Sequence, residues 1–326
     1  MKLFYKEKHG NRRVLHILGW NIKYKKKETV NSSLIEAIVE EKMQNYLNTF
    51  LNCFYEPRDL TPKSGKLKFL NDGNTELIRI IHEICNKYNL KYWLSYGTLL
   101  GAIRHNGPIP WDYDGDIAMP RDDYNIFFDV VEKELKDTEV KVYGVSEILP
   151  FRENIIILTN KTGEEYLNLD IVPIDIVSVN DSQKKELALS LINNSKSFYN
   201  KIFPRDKHIT QTAEIEKYNK EINLFIDKVQ LNNANKNLVI RLIPHNRDFD
   251  EYYNYEDIFP LSLVDYDGYQ FYVPNNYKSV LCMNYGINWN SFPKTFDINA
   301  LRFWTSKIKA DDANKILSNL KQIKIN

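Results

Sequence analysis

Cysteine is scarce. Three residues, Cys53, Cys85 and Cys282, lie far apart and form no C-x-x-C pair. That spacing excludes a cysteine zinc site and a disulfide framework, and it fits a reduced, cytosolic compartment. Long apolar runs are missing too. No stretch of 18 or more apolar residues occurs, so no segment reads as a membrane-spanning helix. The basic N-terminus is not followed by a sustained apolar region, so it does not read as a secretory signal. Charge surplus is absent: 44 Lys and Arg against 43 Asp and Glu leave +1, which gives no argument for nucleic acid as a partner. Internal repeats and low-complexity linkers are lacking as well. Aromatic residues are plentiful, at 13% with 21 Tyr. In a Tyr-, Asn- and Lys-rich chain, an AT-rich genome explains this more simply than a carbohydrate-binding surface does. A chain of 326 residues can bury a sizeable core in one large or two modest domains.

The chemistry is concentrated between Trp93 and Tyr124. Tyr92 to Tyr96 is an aromatic and apolar run that suits a short buried strand. Gly97-Thr98 then reads as a tight turn into a short helix carrying Leu99, Leu100, Ala102 and Ile103. The helix is stopped by Asn106-Gly107-Pro108. A second strand carries Asp112, Asp114 and Asp116 before Ile117-Ala118-Met119, and Pro120 ends it. Side chains two apart on a strand share a face at roughly 7 Å spacing, so the three carboxylates are expected to form one acidic row. Like charges in a row repel. A divalent cation resolves that repulsion, and hard oxygen ligands suit Mg²⁺ or Mn²⁺. Backbone N–H groups at the Gly97-Thr98 helix start make an anion site, and Arg104 and Arg121 add positive charge nearby in sequence. A phosphate seat beside a metal seat equips a site for phosphoryl or nucleotidyl transfer.

The stretch resembles the LicD family, the phosphocholine transferases of bacterial surface glycans, and more distantly fukutin-related protein. The family pattern G-[TS]-L-L-G-A-x-R-H followed by I-P-W-D-x-D-x-D is matched by Gly97, Thr98, Leu99, Leu100, Gly101, Ala102, Arg104, His105, Ile109, Pro110, Trp111, Asp112, Asp114 and Asp116. Gly115 departs from it, standing where the family usually has an apolar residue; glycine in a strand marks a bulge or a close approach. The run from Tyr166 to Val177 resembles the family's D-I-F-P-L-D element. Leu167, Leu169 and Ile171 alternate there with Asn168, Asp170 and Val172. Asp170 is thus expected on the polar face of a buried strand, completing a three-Asp site, and Asp175 is read as a turn or cap residue after Pro173. The closing text from Val273 to Tyr277, with Tyr285-Gly286 and Phe292-Pro293, is also family-like. The resemblance covers roughly residues 66–177 and 255–295.

The resemblance implies an α+β (α/β mixed) fold, a nucleotidyltransferase-like mixed sheet flanked by helices. It also implies a metal-dependent transfer of a phospho-alcohol, phosphocholine or similar, from a CDP-alcohol donor to a hydroxyl of a glycan or glycolipid acceptor. On that reading the donor diphosphate sits at Gly97 and Thr98, and Asp114 and Asp116 hold Mg²⁺. Asp170 is either a third ligand or the base for the acceptor hydroxyl. Arg104 or Arg121 neutralises charge, unless each is bound in a salt bridge to Asp122 or Asp123. Trp111 stacks on a base or an ammonium group or serves the core, and Asp112 supports the ligands. Two competitors are a nucleotide-sugar glycosyltransferase using the same D-x-D strand and a non-enzymatic surface-glycan-binding protein. The Gly-Thr helix and the Asp170 strand argue against the first, and the clustered acids against the second.

Four segments are expected. Residues 1–60 are a basic extension and helix, 61–180 the catalytic core, 181–250 a helical excursion, and 251–326 the part completing the core. In residues 1–27 nine Lys and Arg face one acid, Glu7. Such a segment can lie at the inner face of an anionic membrane as a peripheral contact, or form a small hairpin packed on the body. Periodicity predicts helices over 31–54, 74–88, 123–136 and 277–284, and strands over 140–145 and 154–159. Helical runs are expected at 187–192 and 215–229, a hairpin turning at Asp267-Gly268, and a basic helix after Leu301.

Overall fold

A computed structural model describes residues 4–9, 12–17, 20–25, 32–60, 64–143, 155–159, 165–179, 236–241, 251–293 and 298–325, with Leu189, Asn193 and Lys220. Apart from those three, the helical runs expected between 181 and 235 lie outside the described residues. The chain divides into two compact units, residues 1–57 with 291–297 and residues 58–290 with 298–326.

In the first unit the basic segment forms a three-stranded antiparallel sheet rather than a hairpin. Its strands β1 (Phe4–His9), β2 (Arg12–Ile17) and β3 (Trp20–Lys25) pair in sequence order. Helix α1 (Ser32–Phe54) follows. Its apolar residues recur at helical spacing, yet Met43, Tyr46, Leu47, Phe50 and Phe54 are exposed while Gln44 is buried.

The second unit is built on α2 (Gly65–Tyr88). The helix starts earlier than apolar periodicity predicts because its first turns bury Phe69 and Leu70 beside polar Asn71 and Asn74. It ends at Asn89, which takes the left-handed conformation (φ 54°). The N–H of Leu90 then closes back on the Cys85 carbonyl at 2.8 Å, satisfying a carbonyl that the helix leaves open.

Among the described residues, the sheet beside α2 has seven strands. They are β4 (Trp93–Leu94), β5 (Gly115–Pro120), β6 (Val140–Tyr143), β7 (Ile155–Thr159), β8 (Glu165–Val179), β9 (Lys236–Ile240) and β10 (Tyr252–Asn254). The 15-residue β8 is its spine. One edge of β8 takes β5 in parallel from Leu169 to Ile174. Antiparallel pairing with β7 runs from Glu165 to Asp170, and with β9 from Asp175 to Val179. Residues 236–240, part of the expected excursion, are therefore a sheet strand. Leu167, Leu169 and Ile171 are buried together with Asp175 further along, and so are Asn168, Val172 and Ile174 on the alternate positions. Burial on both faces is what a strand with a parallel neighbour requires. Gly73 of α2 permits the helix to lie against β8, since a Cβ there would stand 2.4 Å from Leu167 Cδ1.

Helix α3 (Tyr96–His105) joins β4 to the loop before β5, and α4 (Arg121–Leu135) begins directly after Pro120. Asp122 and Asp123 in the first turn of α4 complement the helix dipole. Asp175 is a residue of β8, not a turn or cap. Its two oxygens accept from Arg121 Nε at 2.9 Å and Nη2 at 2.7 Å. Arg121 thus pins the start of α4 to the spine strand through a bidentate pair, and its partner is not the adjacent Asp122 or Asp123.

After α5 (Tyr255–Ile258) come β11 (Ser262–Tyr266) and β12 (Tyr269–Val273), paired antiparallel around Asp267-Gly268. Both turn residues have positive φ, 49° and 87°, as the expected two-residue hairpin needs. Helix α6 (Tyr277–Tyr285) is closed by Gly286 with φ 80°. The C-terminal segment makes two helices instead of one, α7 (Ile298–Lys307) and α8 (Ala310–Gln322). No helix among the described residues is long and apolar enough to cross a membrane.

Arg79 ties the last helix to α2. Its Nε donates to Glu76 Oε2 at 2.7 Å and its Nη1 to Glu83 Oε1 at 2.7 Å. Its Nη2 donates to the carbonyls of Leu320 at 2.9 Å and Ile323 at 3.2 Å. Glu76 and Arg79 are both buried. Replacing Arg79 by Ala removes the counter-charge of buried Glu76, which keeps the Tyr269 hydroxyl at 2.9 Å, and leaves two carbonyls without this donor. Urea unfolding of Arg79→Ala is expected to show a loss of about 3–5 kcal/mol; a loss below about 1 kcal/mol would mean the clamp is not what secures α8.

Candidate active site

The link from β4 to α3 determines where Asp116 sits. Trp93 and Leu94 pair antiparallel with Ala118 and Ile117. The next residue, Ser95, donates its N–H to the Asp116 carbonyl at 3.1 Å. Three residues further on, the Thr98 hydroxyl accepts the Asp116 N–H at 2.8 Å. Both backbone groups of Asp116 are therefore held by the turn that starts α3. Thr98 is buried, and its oxygen serves the strand.

Parallel pairing with β8 places Asp116 opposite Asp170, with Gly115 opposite Leu169 and Ile117 opposite Ile171. Register partners on neighbouring strands point to the same face. The structure thus brings these two carboxylates together. The close strand contact depends on Gly115, where a Cβ would lie 2.5 Å from Leu169 Cδ1; the departure from the family pattern is a close approach.

Asp112 and Asp114 precede the strand, which begins at Gly115, so the expected row of three on one strand is divided between a loop and β5. That loop is carried by α2. Asn71 Nδ2 donates to the carbonyls of Ile109 at 3.3 Å and Asp112 at 3.0 Å, and Asn74 Nδ2 to that of Tyr113 at 3.1 Å. The loop returns the Asp112 carboxylate to the start of α3, where a Cβ on Gly97 would be 2.6 Å from Asp112 Oδ2. The positive end of α3, expected to seat a phosphate, has an internal carboxylate against it. Gly101 admits the crossing of the same loop, since a Cβ there would be 2.6 Å from the Gly107 carbonyl oxygen.

Arg104, on the last turn of α3, is buried. Its guanidinium lies 5.5 Å from the Trp111 ring centre and donates to His105 Nε2 at 3.0 Å and to the Trp289 carbonyl at 3.5 Å. Burial pulls its pKa down to about 10, against the opposing pull of Tyr285 and Asp112. Trp111 meets the His105 ring edge-on at 5.9 Å. Arg104 and Trp111 thus group at the last turn of α3 and Asp112 lies against its start, while Arg121 is engaged with Asp175.

Behind Asp116 lies a polar network that sequence reasoning missed. The Tyr96 hydroxyl donates to Glu251 Oε2 and accepts from Arg241 Nη1. The Tyr253 hydroxyl lies within hydrogen-bond distance of both Glu251 Oε1, at 2.9 Å, and Asn284 Oδ1, at 2.6 Å, and shares its one proton between them. All five residues are buried. Burial, then Glu251, raises the Tyr96 pKa well above its ordinary value. Arg241 is held ionised by Tyr96, Glu251 and Asp116, which together outweigh its burial. Arg241 closes the apolar run Leu238-Val239-Ile240, and a charge at the end of such a run was the available signal. Asn71 and Asn74 were missed as well; their spacing places them on the apolar face of α2.

Among the described residues, no group of three or more His, Cys, Asp and Glu is gathered to hold a metal ion. Asp116 and Asp170 offer a facing pair of hard oxygen donors.

His105 supplies a pH test. Burial first, then the neighbouring Arg104 charge, push its pKa down to about 4. The folded protein thus resists protonating a ring that the unfolded chain protonates near 6.5. Stability from this residue is present above pH 6.5 and is lost as pH falls toward 4, by about 1–2 kcal/mol at pH 5. Urea unfolding at pH 7.5 and pH 5, for wild type and His105→Asn, checks this: the advantage of the wild type is expected to shrink at pH 5. An advantage that stays constant would contradict it.

Residues 89–174 match the profile of the LicD/FKTN/FKRP nucleotidyltransferase domain. The lipopolysaccharide cholinephosphotransferase LicD of Haemophilus influenzae is 44% identical over 73 residues, 22% of this chain and 26% of that protein. The ribitol 5-phosphate transferase FKRP of Homo sapiens is 42% identical over 48 residues, 15% of this chain and 10% of that protein. An uncharacterised Rickettsia prowazekii protein is 50% identical over 48 residues, 15% of this chain and 18% of its own length. The chain therefore spans about a quarter or less of the curated relatives it matches. The matched segment, which is similar to the LicD/FKTN/FKRP domain, contains β4, α3, β5 and the part of β8 that bears Asp170.

Proposed function

We propose that the protein is a metal-dependent transferase that moves a phospho-alcohol from a CDP-alcohol donor to a hydroxyl of a cell-surface glycan. The observation that carries this reading is the pairing of Asp116 with Asp170 on adjacent parallel strands. It is supported by the match to the LicD family, whose relatives include a cholinephosphotransferase and a ribitol 5-phosphate transferase.

The residues fit Mg²⁺ or Mn²⁺. Mg²⁺ is commonly bound by one or two carboxylates with substrate phosphates completing its shell, rather than by an all-protein cage. Asp116 and Asp170 would hold it, Asp114 of the preceding loop being the further candidate ligand. Once bound, the ion supplies charge neutralisation on the donor phosphates. The remaining work belongs to the chain. Thr98 and Ser95 hold Asp116 in place, and Arg104 provides a fixed positive charge beside Trp111 and Asp112. Asp170, if not a ligand, accepts the proton of the attacking hydroxyl. Catalysis is then mainly positioning and charge stabilisation.

The test is nucleotide release from a panel of CDP-alcohols and nucleotide sugars, with an oligosaccharide acceptor, with and without EDTA. CMP release from one CDP-alcohol, abolished by EDTA, is expected. It should fall at least about 100-fold in Asp116→Asn and in Asp170→Asn, with circular dichroism confirming that both variants fold. Release of a nucleoside diphosphate from a nucleotide sugar would instead make the protein a glycosyltransferase.

The same reading sets the basic segment 1–27 against an anionic membrane surface. Co-sedimentation with phosphatidylglycerol vesicles, weakened by added salt, is expected. Equal binding to phosphatidylcholine vesicles, or none, removes this element.

A further inference from the structure

We infer that Tyr96 is a positioning residue for Asp116, acting through a phenol anchored far along the chain. The inference rests on the proposed role of Asp116 in metal binding, but its first readout does not require metal.

Three observations meet at this residue. Tyr96 is flanked by the two groups that hold the Asp116 backbone, the Ser95 N–H and the Thr98 hydroxyl. Its own backbone is left-handed, with φ 39°. A bulky residue there is strained and persists only where its surroundings enforce it. The surroundings are the buried Glu251 and Arg241, both bonded to the Tyr96 hydroxyl. Arg241 follows β9, and Glu251 precedes β10. The two strands are paired in register, and the Arg241 N–H donates to the Glu251 carbonyl at 3.1 Å.

The mechanical consequence follows. The turn from β4 into α3 sits at one end of the phenol, and the β9–β10 edge at the other. With the phenol anchored, the turn is held in its strained form, and Ser95 and Thr98 stay aligned on Asp116. Without it, the turn can relax toward negative φ, and both hydrogen bonds to the Asp116 backbone shift together. Tyr253 belongs to the same polar network through Glu251, but its other bond goes to Asn284. It therefore serves as a control that disturbs the network without releasing the turn.

The experiment uses the full chain and compares wild type, Tyr96→Phe and Tyr253→Phe. Tyr96→Phe leaves Arg241 and Glu251 still paired with each other, 3.5 Å apart, so the fold should survive. The first readout is hydrogen exchange at the Asp116 amide. In Tyr96→Phe it should accelerate about tenfold, the factor set by loss of one ordinary hydrogen bond, while the amides of α8 stay unchanged. The second is Mn²⁺ titration followed by electron paramagnetic resonance. Affinity should fall about 10–100-fold in Tyr96→Phe, as for loss of a group that orients a ligand, and hold in Tyr253→Phe. Asp116 exchange at the wild-type rate in Tyr96→Phe overturns the inference. So does an equal loss of Mn²⁺ affinity in Tyr253→Phe, which would mark a general effect of the network. Failure of wild type to bind Mn²⁺ would count against the proposed metal site alone; the exchange comparison would still decide whether Tyr96 positions Asp116.

Discussion

The parallel pairing of β5 with β8 is the constraint on which this molecule depends. Side chains alternate along a strand, so a slip of one residue would send Asp116 or Asp170 to the opposite face. Register is secured by features on both sides of the pair. Gly115 lets Leu169 approach, Thr98 and Ser95 hold the Asp116 backbone, and Arg121 locks the residue after β5 onto Asp175 of β8. These restraints come from a loop, a helix start and a helix N-terminus. The Asp pair is thus an outcome of tertiary packing as much as of the D-x-D spelling.

Much of the polar chemistry near the pair supports the backbone. Asn71 and Asn74 give up apolar positions on α2 to carry the loop from Ile109 to Tyr113. That loop delivers Asp112 to the start of α3, where a carboxylate is favoured by the unpaired N–H groups and the helix dipole. Buried polar groups are costly unless they are bonded. Their use here shows how much of the unit is devoted to placing a short acidic segment accurately.

The network of Tyr96, Arg241, Glu251, Tyr253 and Asn284 links segments separated by more than 140 residues, since Arg241 and Tyr96 are 145 apart. Its ionised members lie in a low-dielectric setting where a missing partner is expensive. Such a network specifies one arrangement of β9 and β10 against the start of α3. It also ties Arg241, within the polar stretch 181–250 that composition alone had set aside as an excursion, to the part of the sheet that bears Asp116.

Local pattern carried a good deal by itself. Whereas the mixed α+β class came from the family resemblance, the α2 apolar face, the Asp267-Gly268 hairpin and the helix stop at Asn106 were legible because helical periodicity and turn chemistry act over a few residues. So was the placement of Asp170 on a buried strand, through the alternation of Leu167, Leu169 and Ile171. The family motif marked the right stretch of chain. Other features depended on partners distant in sequence. Asp175 read as a cap because Pro173 lies nearby, yet it is a strand residue paired with Arg121, 54 positions away. The acidic row was divided because the strand begins only at Gly115, where its parallel neighbour starts to pair. The Tyr96 anchor could not be read locally at all, since both of its partners arrive from the β9–β10 edge. Periodicity and motif spacing determined which residues could form each element; only the closing of β8 onto β5, and of β9 onto β8, decided which charges meet, because ion pairs and strand registers are set by neighbours in space.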